Sequence, residues 1–272
     1  MSKKSNISTL RKSNKNFNFL NEHSNKSTFL LTFMNLINRL LTLKNVSLIK
    51  ANSNFVNNQF FVHLFVYFKY TKTAFYKKRA FVSAKNVPST SLYYSFLKSL
   101  SYLFKTNLVI LKFTTLNTSI NPKLLSSLYK KIKFVKKTLF ARRYFMFIDF
   151  ICQSTLFIQG LIPAKKFLIL LGDIFKTLPK SRHKLFLTFL KRFFTLLLEL
   201  SKNFEKLDKS NLKGFKFIIG GKLQGKLRSS SVTVQIGEVP IQSIDKNIEY
   251  SKIHVYTLYG VFGMKLWIYK DF

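Results

Sequence analysis

The spacing of apolar residues changes character along this chain. From residue 28 to 48 (TFLLTFMNLINRLLTLKNVSL), Leu30, Phe33, Leu36, Ile37 and Leu40 recur at helical spacing, which predicts a helix. Two short apolar runs follow, FFVHLFVYF at 60–68 and NLVILKF at 107–113. Both read as strands, and the first, rich in aromatic and β-branched residues, is too short to cross a bilayer as a helix. Between them, YKKRA from Tyr76 to Ala80 reads as a basic turn. Asn121-Pro122 then opens a helix, KLLSSLYKKIKFVKKTLFARRYF.

The stretch YFMFIDFICQSTLFIQGLIP (144–163) is the strongest membrane candidate, with Asp149 as its one charge. Gln153, Ser154, Thr155 and Gln159 break its apolar run, so a buried core helix with a hydrated edge fits better than a span, in which a lone Asp is costly. A second helix runs from Pro163-Ala164 through Leu178. Pro179 suits the first turn of a third, SRHKLFLTFLKRFFTLLLELSKNF, where Lys191 and Arg192 interrupt the apolar run. Beyond the loop EKLDKSNLKG (205–214) the period drops to two. GFKFIIGGKLQG reads as a strand into a glycine-rich turn, and SSVTVQIGEVP as a strand stopped by Gly237 and Pro240. HVYTLYGVFGMKLWIYK reads as one long final strand, with Met264, Leu266 and Ile268 on one face and Lys265, Trp267 and Tyr269 on the other. Gly260 and Gly263 within it suggest a bulge or a close backbone approach. A large aromatic in such a strand rarely stays exposed, so Trp267 is expected in the core or packed at a seam with a partner. The fold class is α+β: a C-terminal domain with helices on a small mixed or antiparallel sheet, preceded by a largely helical, divergent basic region.

Charge narrows the partner. The 272 residues carry 46 Lys+Arg against 10 Asp+Glu, a formal charge of +36. A compact globule so charged repels itself, so a polyanion belongs beside it, nucleic acid first and an anionic membrane surface second. Glu22 is the only acid before Asp149, while half of the acids fall between Glu205 and Glu249. The C-terminal part therefore resembles an ordinary self-folding domain, and the N-terminal part a wrapper for a polyanion. Residues 1–27 are polar and basic; poor in arginine and without amphipathic rhythm, they read as an RNA-binding arm rather than a transit peptide. The abundance of Phe, Lys and Asn fits an A+T-rich, organellar genome.

Signs of catalysis are missing. The lone Cys152 rules out an intramolecular disulfide and a Cys-based zinc site. His23, His63, His183 and His254 lack metal-ligand spacing, no cofactor motif appears, and no carboxylate pair suits acid–base work. Asp245 and Glu249 read as strand-edge or salt-bridge groups. GGKLQGK (220–226) lacks the G-K-[ST] of a phosphate loop and reads as a tight turn, with Lys222 and Lys226 available to RNA. What remains is basic residues interleaved with aromatics, in FYKKRAF, YKKIKFVKKTLFARRYF and HKLFLTFLKRFF.

The glycines carry the most specific signal. None precedes Gly160, and seven of the nine fall from Gly214 onward. Six of the seven sit in GFKF (214–217), GKLQG (221–225), GEVPI (237–241) and TLYGVFGMKLWI (257–268), with IEY (248–250) between the last two. In this order and spacing the segments resemble the C-terminal domain of the small-subunit ribosomal protein three family, in its divergent, mitochondrially encoded type. Phe189-Leu-Lys-Arg192 is similar to the family's basic helix, whose side chains face incoming mRNA; a pair of arginines expected one turn earlier falls on Leu187 and Thr188 here. Lys191 and Arg192 match that helix, and Arg182 and Lys184 stand as substitutes for the missing arginines, so Arg182, Lys184 and Lys191 are the mRNA-channel candidates. Arg192, with Lys222, Lys226 and Arg228 around the glycine-rich turn and Lys136, Lys137, Arg142 and Arg143 of the basic stretch, are the rRNA-binding candidates. Lys184 and Lys191, seven apart, align on one helix face, whereas Arg192 points about 100° away.

The family's N-terminal KH domain clamps nucleic acid with a G-x-x-G loop. With no glycine before Gly160, an intact loop is impossible here. The first half is degenerate or rebuilt, or a separate polypeptide supplies the missing domain. The expected organisation is an arm at 1–27, a degenerate KH-like region at 28–120, a helical insertion at 121–178 and the family's C-terminal domain at 179–272. Expected partners are small-subunit rRNA, mRNA and small-subunit proteins ten and fourteen, in a mitochondrion, with no enzyme activity, no cofactor, no metal and no membrane. The rivals are a multi-spanning organellar membrane protein, which the apolar runs favour, and an RNA-processing enzyme, which would need acidic clusters that are absent.

Overall fold

The structure, a computed structural model, describes residues 37, 39, 41, 46–56, 59–69, 109–133, 139, 144–203, 211–226, 228–243 and 245–271. They fall into two compact units, one spanning 32–120 and one that takes in 121–272. The arm at 1–27 and the basic turn at 76–80 lie outside the described residues.

The first unit is built on a three-stranded sheet. β1 (Val46–Val56) pairs antiparallel with β2 (Gln59–Phe68), and β2 pairs parallel with β3 (Val109–Thr115). Both strands expected from apolar runs are present. β1 is a finding: the helix expected over 28–48 gives way to strand at Val46. Residues 37, 39 and 41 are helical, with Ile37 and Leu41 buried and Arg39 exposed. From Val46, in contrast, the chain pairs residue by residue with β2, Val46 against Phe68 and Leu48 against Val66. Long-range pairing thus ended a helical rhythm that sequence could extend only by local spacing. Asn117 closes the end of β2, its side chain accepting from the Phe68 N–H (2.9 Å) and donating to the Phe68 carbonyl (3.0 Å).

The second unit begins with α1 (Pro122–Ile132). Asn121 caps it by accepting from the Lys123 N–H (3.1 Å), and proline fills the first turn, where its missing N–H costs nothing. Leu124, Leu128 and Ile132 form its buried stripe. α2 (Tyr144–Ile158), α3 (Ala164–Lys176) and α4 (His183–Asn203) follow, close to the expected spans. α2 is the buried core helix expected at 144–163, but of the four residues expected at its hydrated edge only Gln159, just past its end, escapes full burial. Gln153, Ser154 and Thr155 are all buried. The two hydroxyls satisfy themselves within the helix, Ser154 donating to the Phe150 carbonyl (2.6 Å) and Thr155 to the Cys152 carbonyl (2.7 Å).

Four antiparallel strands close the unit in the order β5-β4-β7-β6: β4 (Asn211–Gly221), β5 (Ser230–Gly237), β6 (Ile248–Thr257) and β7 (Gly260–Asp271). The segment expected as one long final strand is a hairpin. Thr257 pairs with Gly260 across Leu258 and Tyr259, and Gly260 takes φ +123°, a conformation open to glycine. Gly260 therefore marks a reversal, which unbroken alternation on both sides hides. α3 lies over β6 and β7, and α4 over β4 and β5. Phenylalanines fill the space between. Phe194 stacks on Phe215 (5.0 Å, 11°), Phe157 on Phe167 (4.1 Å, 10°), and Phe150 meets Phe193 at 4.8 Å. Each such pair contributes about 0.5–1.5 kcal/mol beyond the area it buries.

Glu249 behaves as the sequence suggested. It accepts from the Ala164 N–H at the start of α3 (3.1 Å), a position where Pro163 offers no side-chain cap, and pairs with buried Lys270 (2.8 Å). Helices from Asn121 onward and the sheet thus share one core.

Candidate nucleic-acid interface

α4 is amphipathic by construction. Phe186, Phe189, Leu190, Phe193, Phe194, Leu197 and Leu200 face the sheet and neighbouring helices. Lys184, Thr188, Lys191, Arg192 and Thr195 are exposed. Lys184 and Lys191 fall on one side of the helix, as their spacing of seven requires, and Arg192 lies about 100° around. Glu199 is the one carboxylate of this helix, and it pairs with Lys131 of α1 (3.4 Å) in an exposed contact worth little.

Tertiary structure adds a second group to the start of α4. A 3₁₀ turn, Lys180–Arg182, leads into it, with Lys180 exposed and Arg182 half-buried. Against this turn sits Leu223–Gly225, the glycine-rich turn after β4. Gln224 adopts a left-handed conformation (φ +59°), unusual for a residue with a side chain, and its N–H donates to His183 Nδ1 (3.2 Å). A Cβ placed on Gly225 would stand 3.1 Å from Lys180 Cδ. Lys222 and Lys226, both exposed, therefore flank a turn held against the N-terminal end of the basic helix. Lys222 and Lys226, expected at rRNA, thus lie at the same end of the helix as Arg182 and Lys184, expected at mRNA.

His183 and Lys180 hold this corner together, and motif reading missed them. His183 is fully buried among Phe175 (4.6 Å), Phe262 (5.6 Å) and Tyr259 (6.1 Å). Because Nδ1 accepts from Gln224, the proton sits on Nε2, which has no hydrogen-bond partner among the described residues. Burial holds the imidazole below its ordinary value, so it stays neutral and keeps Nδ1 as an acceptor. Lys180 Nζ stands 4.9 Å over the Tyr259 ring, a cation–π contact that ties the β6–β7 hairpin to the same corner. The contact of His183 with Gln224 spans 41 residues, so no local signal could reveal it.

Arg228 is exposed beyond the turn. Lys136, Lys137, Arg142 and Arg143 lie outside the described residues. Trp267 is not in the core. It is half-buried on the sheet face opposite the helices, its ring 5.0 Å from that of Tyr250. No helix among the described residues is long and apolar enough to cross a membrane, which removes the support that the apolar runs lent to a helical membrane protein.

Comparison with known proteins supplies a family. Residues 199–268 match the family described as ribosomal protein S3, C-terminal domain. The small ribosomal subunit protein uS3c of Emiliania huxleyi is 40% identical over 66 residues, covering 24% of this chain and 31% of that protein. Its counterparts in Arabis hirsuta and Populus trichocarpa are 38% and 39% identical over 72 residues, 26% of this chain and 33% of theirs. The matched part thus spans about a third of the length of these curated relatives. It lies on the end of α4 and the four strands, where GFKF, GKLQG, GEVPI, IEY and TLYGVFGMKLWI follow one another in order. Over residues 199–268 the chain is thus similar to the C-terminal domain of the S3 family of ribosomal proteins.

Proposed function

We propose that this chain is a structural, non-enzymatic RNA-binding protein of an organellar small ribosomal subunit, binding rRNA in the head and helping to form the mRNA entry channel. The observation that carries the channel reading is the alignment of Lys184 and Lys191 on the exposed side of α4, beside the Lys222–Lys226 turn. Phosphate contacts of this kind hold a strand without reading its sequence. Arg182 joins the mRNA group. Arg192, Lys222, Lys226 and Arg228, with Lys136, Lys137, Arg142 and Arg143, are assigned to rRNA. Proteins ten and fourteen of the small subunit are the expected neighbours.

The domain reading completes the proposal: an arm at 1–27, a degenerate KH-like region at 28–120, a helical insertion at 121–178 and the S3 C-terminal domain at 179–272. A three-stranded sheet with one parallel pair supports a folded domain in the second segment. A separate polypeptide is the other source of the KH function. The Phe-, Lys- and Asn-rich composition favours an organellar genome, and the resemblance to mitochondrially encoded members favours a mitochondrion; the relatives bear the name uS3c, which makes the plastid the competing address.

Replacement of Lys184 and Lys191 by Ala in assembled small subunits tests the channel. The expected result is weaker mRNA retention for all sequences alike, with the slope of log K against log salt reduced by about 1.4 for single strands. Blocked assembly, with mRNA affinity and salt slope unchanged in the particles that do form, would give this helix to rRNA instead.

A further inference from the structure

The sheet face turned away from α3 and α4 has a chemistry of its own. Strand register sets Lys252 of β6 beside Lys265 of β7, and in the next row sets Tyr250, Trp267 and Lys216 side by side on β6, β7 and β4. Lys252 and Lys265 are exposed; Tyr250, Trp267 and Lys216 are half-buried. Like charges directly opposite on neighbouring strands destabilise a sheet. Among the described residues nothing offsets them, because none of the three lysines forms an ion pair there. Rows two residues apart along a strand lie about 7 Å from one another, so the lysines border the aromatic pair closely. The Tyr250 and Trp267 rings are tilted by 36° with centroids 5.0 Å apart. They form a short aromatic step with a cation beside it in the same row and two in the next.

We propose that this open face is a second RNA site, a platform on which a single strand stacks a base against Trp267 and Tyr250 while Lys216, Lys252 and Lys265 take its phosphates. Aromatic rings beside a basic track are the combination that grips single strands without reading sequence. An acidic protein segment would neutralise the lysines but leave the two rings without a π-faced partner. The inference rests on the RNA-binding reading above, yet concerns a face of the domain distinct from the exposed side of α4.

Trp267 is the only tryptophan in the chain, so its emission reports on this face alone. The full chain is titrated with a single-stranded, mixed-sequence RNA oligonucleotide and, separately, with heparin and with polyglutamate; binding is followed by mobility and by tryptophan emission. RNA is expected to quench Trp267, while heparin, an anion without bases, binds and leaves emission largely unchanged. The double variant Lys252→Ala, Lys265→Ala is expected to keep the unliganded emission spectrum and to reduce the salt slope of the quench by about 1.4. Tyr250→Ala is expected to weaken the quench-detected affinity on the order of 10-fold. RNA that shifts mobility without altering emission overturns this site and leaves the RNA-binding function standing. Polyglutamate that changes emission where RNA does not makes the face a protein-docking surface and also overturns it. No mobility shift with RNA overturns both readings.

Discussion

Two faces of the C-terminal sheet are cut from alternate residues of the same strands, and they have opposite chemistry. Toward the helices, Phe215, Phe217, Met264, Leu266 and Ile268 are completely buried. Away from them, one residue along in each strand, stand Lys216, Ile218, Lys265 and Trp267, all half-buried or exposed. A strand's period of two makes this division possible in a single segment. One face supplies the hydrophobic stabilisation of the domain, and the other keeps charges that no carboxylate among the described residues neutralises. The same logic at helical period divides α4, whose Phe186, Phe193 and Phe194 are buried while Lys184 and Lys191 are exposed. Stability and partner binding are thus assigned to interleaved positions, and substitutions one residue apart should have very different effects.

The comparison is broken most directly at its buried side. Phe215→Ala removes a ring stacked on Phe194 and close to Phe157, and is expected to lower unfolding stability by about 3–5 kcal/mol. Denaturant midpoints of the full chain measure it, and a loss under about 1 kcal/mol would mean that this face is not the core. Next comes the end of β5. Gly237 has φ +71°, and a Cβ there would collide with the Lys213 carbonyl. Gly237→Ala combines a left-handed backbone penalty with overpacking, so roughly 2 kcal/mol or more should be lost by the same measurement.

His183 gives a smaller, pH-dependent effect. Its pKa in the folded chain lies below the ordinary 6.5, so the unfolded chain takes up the proton first as pH falls. Stability should decline from about pH 6.5 downward, by at most about 1.4 kcal/mol per pH unit, until the folded-state pKa is reached. Above that range His183 contributes no slope. His183→Gln keeps an acceptor for the Gln224 N–H and should flatten this limb, and an unchanged pH profile would show that another group causes it. Least costly is Trp267→Ala on the open face, expected at about 1 kcal/mol or less because the ring is only half-buried. A loss of 3 kcal/mol or more would place Trp267 in the core after all.

Much of this was legible because it is periodic. The apolar runs at 60–68, 107–113 and 144–163 and the alternation of Met264, Leu266 and Ile268 correspond to real elements and a real core face. The glycine-centred segments from Gly214 onward carried the resemblance to the S3 C-terminal domain, and the match over residues 199–268 agrees with it. Errors arose where a local rhythm continues across a break. The helical spacing of 28–48 conceals the start of β1, and alternation through 254–270 conceals the Leu258-Tyr259 turn. The polar cluster Gln153, Ser154 and Thr155 suggested a wet edge, since sequence does not show that two hydroxyls bond to their own helix.

Read along the chain alone, residues set the charge, the α+β class of the C-terminal region, the impossibility of a G-x-x-G loop before Gly160, and which lysines share a side of α4. Each is a property of composition or of spacing along one element. Packing in three dimensions was needed to show that the glycine-rich turn sits against His183 and Lys180, that Glu249 caps α3 while holding Lys270, and that Lys252 stands beside Lys265. These are contacts between residues distant in sequence. They follow from strand register and from which face the helices cover, and neither is encoded in any one segment.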